Sequence, residues 1–325
     1  MRGSLFLNRE NVAMTVTTPV RTQAPSRPPS RRRRFSWTPY LFIGLAVLYL
    51  LVFAVLPLLK GLDLSFTNTR LLNPTAGKYI GTENYNQLLS SGAFFKSVAT
   101  TLIYTVFTVV GSLTLGTVSA FVINRFFPGR TLARAVMVMP WAVPTVAVVL
   151  VFRWIYNDST GVANAATAAL GLGERGWLTD PNYGMLSVVI ATVWKVTPFV
   201  MLVVLAALQS VPEDLYEATR IDGADSYSTF KFVVLPFLLP TLRVVALLMT
   251  IWSFRRFEII WLLTGGGPVD VTTTIVIDVY RHAFSNSELG MAAAAGVLGL
   301  LLSLIVTAVY FVAEQRANKQ NGVHA

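Results

Sequence analysis

Cysteine is absent from the 325 residues, and histidine occurs only at His282 and His324. Without thiols the chain forms no disulfide and no thiolate metal site, and two histidines are too few for a His-based metal cluster. Composition is therefore silent on redox compartment. Charge is scarce as well, at 13% of residues, where a soluble domain carries about 25%. Apolar residues take that place, at 54% of the chain, and the balance points to lipid. Acids are the scarcer sign, 16 against 26 Lys and Arg. In a soluble protein such an excess suggests nucleic acid. Here Arg31, Arg32, Arg33 and Arg34 stand directly before an apolar run, where positive charge sets membrane orientation, so no nucleic-acid partner is expected. No carboxylate pair or Ser-His-Asp set supports a catalytic reading.

Residues 1–38 are rich in Pro, Ser, Thr and Arg without apolar periodicity, and are expected to form a disordered basic tail. Met14 begins a more ordinary polar leader, so Met1 and Met14 are alternative starts. The following hydrophobic run has no A-x-A-like cleavage site and should remain as an anchor. A helix needs about 20 mostly apolar residues to cross about 30 Å of hydrocarbon. Residues 40–59, 98–123, 135–154, 185–208, 233–263 and 289–312 meet that demand. The expected fold is an all-α integral membrane protein with six transmembrane helices. The fifth stretch is too long for a straight span and holds Pro236, Pro240, Arg243, Arg255, Arg256 and Glu258. It reads as one kinked helix whose first turns lie at the interface.

Orientation follows from Lys and Arg in short flanking segments. Arg31 to Arg34, then Arg125, Arg130 and Arg134, then Arg220 and Lys231, then Arg316 and Lys319 all fall on one side, so both termini should be cytoplasmic. The other side receives longer, more neutral loops such as residues 157–184, whose only basic residue is Arg175. Lys60, Arg70, Lys78 and Lys96 run against the rule without reversing it.

Between spans four and five lies a polar connection, residues 210–231, with consistent local signals. Ser210 and Glu213 match a capping box, Pro212 suits a first helical turn, and Glu213 with Asp214 complements the helix dipole. A helix of about three turns should run to Asp222 and stop where Gly223 takes the left-handed conformation. Asp225 or Ser226 can then cap a second helix leading into the membrane.

Glu217-Ala218-Thr219, Asp222-Gly223-Ala224, Phe230, Val233, Leu235-Pro236 and Pro240 resemble the EAA loop of binding-protein-dependent ABC importer permeases, whose pattern is E-A-A, three residues, G, nine residues, I, one residue, L-P. Thr219 replaces the second Ala and Val233 replaces Ile. Trp194-Lys-Val-Thr-Pro-Phe199, Leu263-Thr-Gly-Gly-Gly-Pro268 with Thr272 to Thr274, Tyr280-Arg-His-Ala-Phe284 and Gly290-Met-Ala-Ala-Ala-Ala295 are similar to the carbohydrate-uptake branch. Within it the chain resembles the longer permease of an actinobacterial trehalose-type disaccharide importer. The resemblance covers residues 39–312, with residues 313–325 as a cytoplasmic tail.

The resemblance implies a multi-pass bacterial cell-membrane protein whose cytoplasmic coupling helix docks on an ATPase through Glu217, Ala218, Asp222, Gly223 and Ala224. It also implies a second permease, two ATPase subunits and an external sugar-binding protein. No cofactor belongs to this chain; ATP and Mg would be held by the ATPase subunits. In agreement, no G-x-x-x-x-G-K-S/T phosphate loop occurs, since Gly265-Gly266-Gly267 has no following Lys.

A sugar has hydroxyls and apolar C–H faces, so its site should join aromatic rings to hydrogen-bonding groups. The candidate substrate path is Trp194, Thr197 and Phe199 on span four with Trp252, Ser253 and Arg256 on span five. Plainer readings stand beside it. Arg255 and Glu258, one turn apart, can neutralise each other, Lys195 can reach the same carboxylate, and each Trp alone can face lipid or fill space. His282, without metal-ligand company, reads as a surface loop residue. Two rival functions remain open. A membrane-embedded enzyme would need acidic metal motifs or a basic clamp that are not evident. A proton-coupled secondary sugar carrier could relay through Lys195, Arg256 and Glu258, but leaves the EAA-like loop unexplained.

Overall fold

The computed structural model describes residues 37–320. The expected basic tail, with Arg31 to Arg34 and both alternative starts, lies outside the described residues. The chain divides into two compact units, residues 1–52 and 53–325. In the first, α1 (Thr38–Leu50) is a helix with Pro in its first turn. Its side chains from Tyr40 onward are exposed.

The second unit opens with α2 (Leu56–Leu64), α3 (Glu83–Ser90) and α4 (Gly92–Asn124). Pairing of extended backbone among the described residues is confined to two isolated bridges, Thr67 with Tyr79 and Arg70 with Asn73. In α4 the hydrophobic pattern of a soluble helix is inverted. Ser97, Thr101, Tyr104, Thr105, Thr108 and Ser112 recur every three or four residues on the buried face, while Ile103, Val106, Phe107 and Val110 are exposed. Apolar side chains turned outward and small hydroxyls turned inward suit a helix whose surroundings are lipid.

α5 (Arg130–Ala142) and α6 (Thr145–Ile155) replace the straight third span expected over 135–154. They are bent by 99° at the break. Pro144 supplies no N–H and drives Val143 out of the helical region, to φ −70° and ψ 134°. The segment expected as a neutral external loop, 157–184, holds α7 (Val162–Ala169) and the first turn of α8 (Pro181–Gln209). Asp180 caps α8 by accepting the Asn182 N–H at 2.8 Å.

α8 is the central helix and packs along α4. Tyr104 donates to Thr192 Oγ1 at 3.1 Å across the pair. A Cβ built on Gly116 would lie 2.6 Å from the Val200 side chain, so the backbones meet only because that residue is glycine.

After α8 come α9 (Glu213–Ile221) and α10 (Ser226–Thr229), a π-helical turn over Phe230–Val234, and α11 (Leu235–Phe254). The fifth span departs from the single kinked helix expected to 263. Helical backbone stops at Phe254, Arg255 adopts φ −96° and ψ 0°, and α12 (Glu258–Thr264) starts afresh beyond Phe257. α12 ends at Gly265, with φ 62°. α13 (Ile275–Tyr280), a π-helical turn over Arg281–Ser285 and α14 (Leu289–Gln320) complete the chain. α14 runs past the expected limit of the last span at 312.

Among the described residues, five helices are long and apolar enough to cross a membrane: Tyr40–Leu64, Gly92–Asn124, Pro181–Gln209, Ser226–Phe254 and Leu289–Arg316. The bent pair α5–α6 makes six when taken as one broken span.

Candidate functional site

Two helix interruptions, α5–α6 and α11–α12, meet beside the middle of α8. The α5–α6 break leaves the Val143 carbonyl without a helical partner, and Lys195 Nζ donates to it at 2.7 Å. Lys195 therefore does not reach the Glu258 carboxylate, as one sequence reading had it. An ammonium in an apolar span needs an acceptor, and a broken helix supplies one. Trp141, the second-last residue of α5, stacks on Trp252 at 5.8 Å between ring centroids and on Phe199 at 5.2 Å. Phe199 and Trp252 meet at 4.9 Å.

These residues border a cavity of about 640 Å³ lined by Trp141, Thr145, Lys195, Trp252, Arg255, Arg256, Phe257 and Glu258. The lining joins aromatic rings to charged groups, three of them, Arg255, Arg256 and Glu258, at the α11–α12 break. Arg255 and Glu258 are both exposed, and among the described residues no ion pair joins them. The neutralising pair expected from their spacing is absent because the helix that would place them one turn apart has ended. Arg256 Nε is buried without a hydrogen-bond partner.

Of the six path candidates, the cavity takes Trp252 and Arg256 in its lining, and Phe199 in the ring stack behind it. The other three lie elsewhere. Thr197 turns its hydroxyl to the Val193 carbonyl at 2.7 Å. Trp194 meets Phe152 edge to face at 5.5 Å. Ser253 is 3% exposed within α11. The helical period explains the first two, because Lys195 and Phe199 are four apart and share a face that Trp194 and Thr197 do not. Trp141 and Thr145 were missed. The one signal for them was the pair of prolines, Pro140 and Pro144, which mark a break where backbone groups and nearby side chains turn inward.

The polar connection contains the expected helix, α9. Its C-terminus is closed by two bonds, Ala224 N–H to Thr219 O at 2.9 Å and Gly223 N–H to Arg220 O at 3.2 Å, with Gly223 at φ 72°. Asp225 accepts the Ser228 N–H at 2.9 Å and so caps α10. Hydrogen bonds from Ser228 hold the Asp225 carboxyl below the usual carboxylate range. The capping box does not form: Ser210 donates back to the Ala207 carbonyl at 2.8 Å, and α9 has no side-chain cap. Ser210 is spent on the end of α8 because only two residues separate it from the start of α9. Glu217, Asp222, Gly223 and Ala224 are exposed and Ala218 is exposed beside them, leaving this surface open.

His282 is not a loop residue. It lies in the π-helical turn, with Nε2 3.8 Å from Asp278 and Nδ1 3.2 Å from Glu288. Among the described residues no group of three or more His, Asp or Glu has metal-site geometry. Burial pushes the Asp278 carboxyl up, with His282 opposing.

A set of apolar helices long enough to span a membrane, with a cavity at a helix break, is the architecture of an integral membrane component. The chain belongs to the family described as binding-protein-dependent transport system inner membrane component, matched over residues 112–319. It is 36% identical over 271 residues to the trehalose/maltose transport system permease protein MalF of Thermococcus litoralis, covering 83% of this chain and 91% of that protein. It is 33% identical to the sulfoquinovosyl glycerol transport system permease protein SmoG of Agrobacterium fabrum, covering 84% and 92%. A chain from the crystal structure of a bacterial alginate ABC transporter, in complex with an alginate pentasaccharide-bound periplasmic protein, shares the fold. The TM-score is 0.76 at 24% identity, over 87% of this chain and 96% of that one. The protein is thus a multi-pass membrane permease component of a binding-protein-dependent transporter.

Proposed function

We propose that this chain is one of two permeases of an ATP-driven sugar importer, with the cavity at Lys195 on the sugar's path and α9 as the element that couples it to the ATPase subunits. The sugar reading is carried by the union of stacked Trp141, Phe199 and Trp252 rings with the Thr145, Lys195, Arg256 and Glu258 groups around one cavity. Ring faces suit C–H surfaces and polar groups suit hydroxyls. The two permease relatives are named for trehalose or maltose and for sulfoquinovosyl glycerol. They support a disaccharide-sized glycoside as cargo, with trehalose its neutral member.

The coupling reading is supported by the closed C-terminal end and exposed surface of α9, since a short helix joined at both ends to spans can transmit displacement from a docked partner to them. The partners are a second permease, two ATPases that hold ATP and Mg, and an external sugar-binding protein. In this arrangement both termini and residues 210–231 face the cytoplasm. A reporter fused after Lys231 should read cytoplasmic, and labelling of that loop from outside intact cells would contradict the topology.

Proteoliposomes holding the assembled transporter should accumulate sugar only when ATP and binding protein are present. Uptake that persists without ATP and follows a proton gradient would replace this reading with the secondary carrier. The carrier has less support, because Lys195 is engaged by a backbone carbonyl and does not stand free for proton relay.

A further inference from the structure

The cavity is unbalanced in charge. Lys195, Arg255 and Arg256 face it, against the single carboxylate of Glu258. None of the four forms an ion pair among the described residues. The Val143 carbonyl satisfies a donor of Lys195 but cancels none of its charge. Lys195 also lies within electrostatic range of both Arg256 and Glu258, so one carboxylate is shared among several cations. Arg256 follows the helix end and carries a buried Nε without an acceptor.

A buried charged donor without a partner costs free energy and is retained where something answers it. Sugar hydroxyls accept hydrogen bonds but leave the charge in place. An oxyanion does both, and the planar guanidinium matches a carboxylate, sulfonate or phosphate through paired donors. The nearby Trp141 and Trp252 rings offer the apolar face that a sugar ring covers.

We infer that the cargo is a glycoside bearing one oxyanionic group, with its ring against Trp141 and Trp252 and its anion directed to Arg256. This rests on the sugar reading above and narrows it from glycosides in general to acidic ones. Glu258 then serves to keep the empty cavity from an excess of three like charges, and Lys195 remains the clamp of the broken third span.

The test uses the complete transporter with its binding protein in proteoliposomes, reading uptake and solute-stimulated ATP turnover. The probes are matched pairs: trehalose with its monophosphate, and methyl glucoside with methyl glucuronide. The acidic member should reach half-maximal stimulation at a concentration about tenfold or more below its neutral partner, as expected for a charge-assisted hydrogen bond. Arg256→Gln should remove that preference, and Arg256→Lys, which keeps the charge without the fork, should keep part of it. Transport of neutral sugars alone, unchanged in Arg256→Gln, would overturn the acidic cargo while leaving the sugar reading intact. The surplus charge would then be answered by acids of the second permease. If an assembled complex that hydrolyses ATP moves none of the four probes, the sugar reading itself fails.

Discussion

The exposed helix α9 and the cavity beside Lys195 are stabilised over very different distances along the chain. α9 is closed by hydrogen bonds within residues 219–224 and followed at once by the Asp225 cap. The cavity joins Trp141 and Val143 to Lys195, Phe199, Trp252 and Arg256. A locally closed element keeps its shape when its surroundings move, which suits a part that passes displacement on. A cavity assembled from two separate helix interruptions and the middle of α8 changes shape whenever those helices shift, which suits a site that opens to alternate sides.

The largest effect should come from breaking the local element. Gly223→Pro requires φ near −65° where the backbone holds 72°, and Glu217→Lys reverses a charge on the exposed surface proposed to meet the ATPase. Both should abolish uptake while the protein still inserts and assembles. Solute-stimulated ATP turnover at the original rate in both would refute coupling through α9. Gly223→Ala is milder, because a left-handed alanine costs about 1–2 kcal/mol, and a partial loss of uptake is expected.

Next comes the clamp. Lys195→Met leaves the Val143 carbonyl unpaired inside the bundle, and a lost charge-assisted hydrogen bond of about 1.5–3 kcal/mol predicts a roughly tenfold or greater fall in uptake. Cysteine accessibility at Thr145 should change with it. Unchanged accessibility would show that the break holds its shape without Lys195.

Packing tests the frame shared by both regions. Gly116→Ala would place a Cβ 2.6 Å from Val200, and overpacking of this kind costs about 1–3 kcal/mol. The purified complex should unfold at a lower temperature, whereas an unchanged unfolding temperature would mean that α4 and α8 part without cost.

The smallest effect belongs to the α10 cap. Asp225 has a depressed pKa in the folded loop, so its contribution is present above the unfolded carboxylate range and is lost as pH falls through the lower folded value. Hydrogen-exchange protection at Ser228 should therefore persist at mildly acidic pH and fade only in stronger acid. Asp225→Ala should remove that pH dependence and leave uptake near its original rate.

How much of each region could be read from sequence follows the same contrast. Glu213, Gly223 and Asp225 act on neighbours a few residues away, so the helix, its stop and the next cap were legible in one segment. Ser210 misled because two helix ends compete for one hydroxyl. At the cavity, Trp252, Phe199 and Arg256 were legible as polar or aromatic exceptions within apolar spans. Trp194 and Thr197 shared that signature but face other sides of α8. Trp141 was marked only by Pro140 and Pro144, and its place beside Trp252 goes with a 99° bend between α5 and α6. The end of α11 at Phe254 carries no Gly or Pro to announce it, so the setting of Arg255 and Arg256 had no sequence signal.

The central claim, that the cavity beside Lys195 lies on the solute path, is tested most directly by transport in two variants, Trp252→Ala and Arg256→Ala. Uptake and solute-stimulated ATP turnover would be measured in purified complexes, with expression and subunit association as controls. Both variants should assemble, and the half-saturating solute concentration should rise about tenfold, since a ring contact contributes about 0.5–1.5 kcal/mol beyond its buried area and a hydrogen bond from a charged donor about 1.5–3 kcal/mol. Transport at the original rate and apparent affinity in both assembled variants would contradict the account and place the solute path elsewhere in the paired permeases.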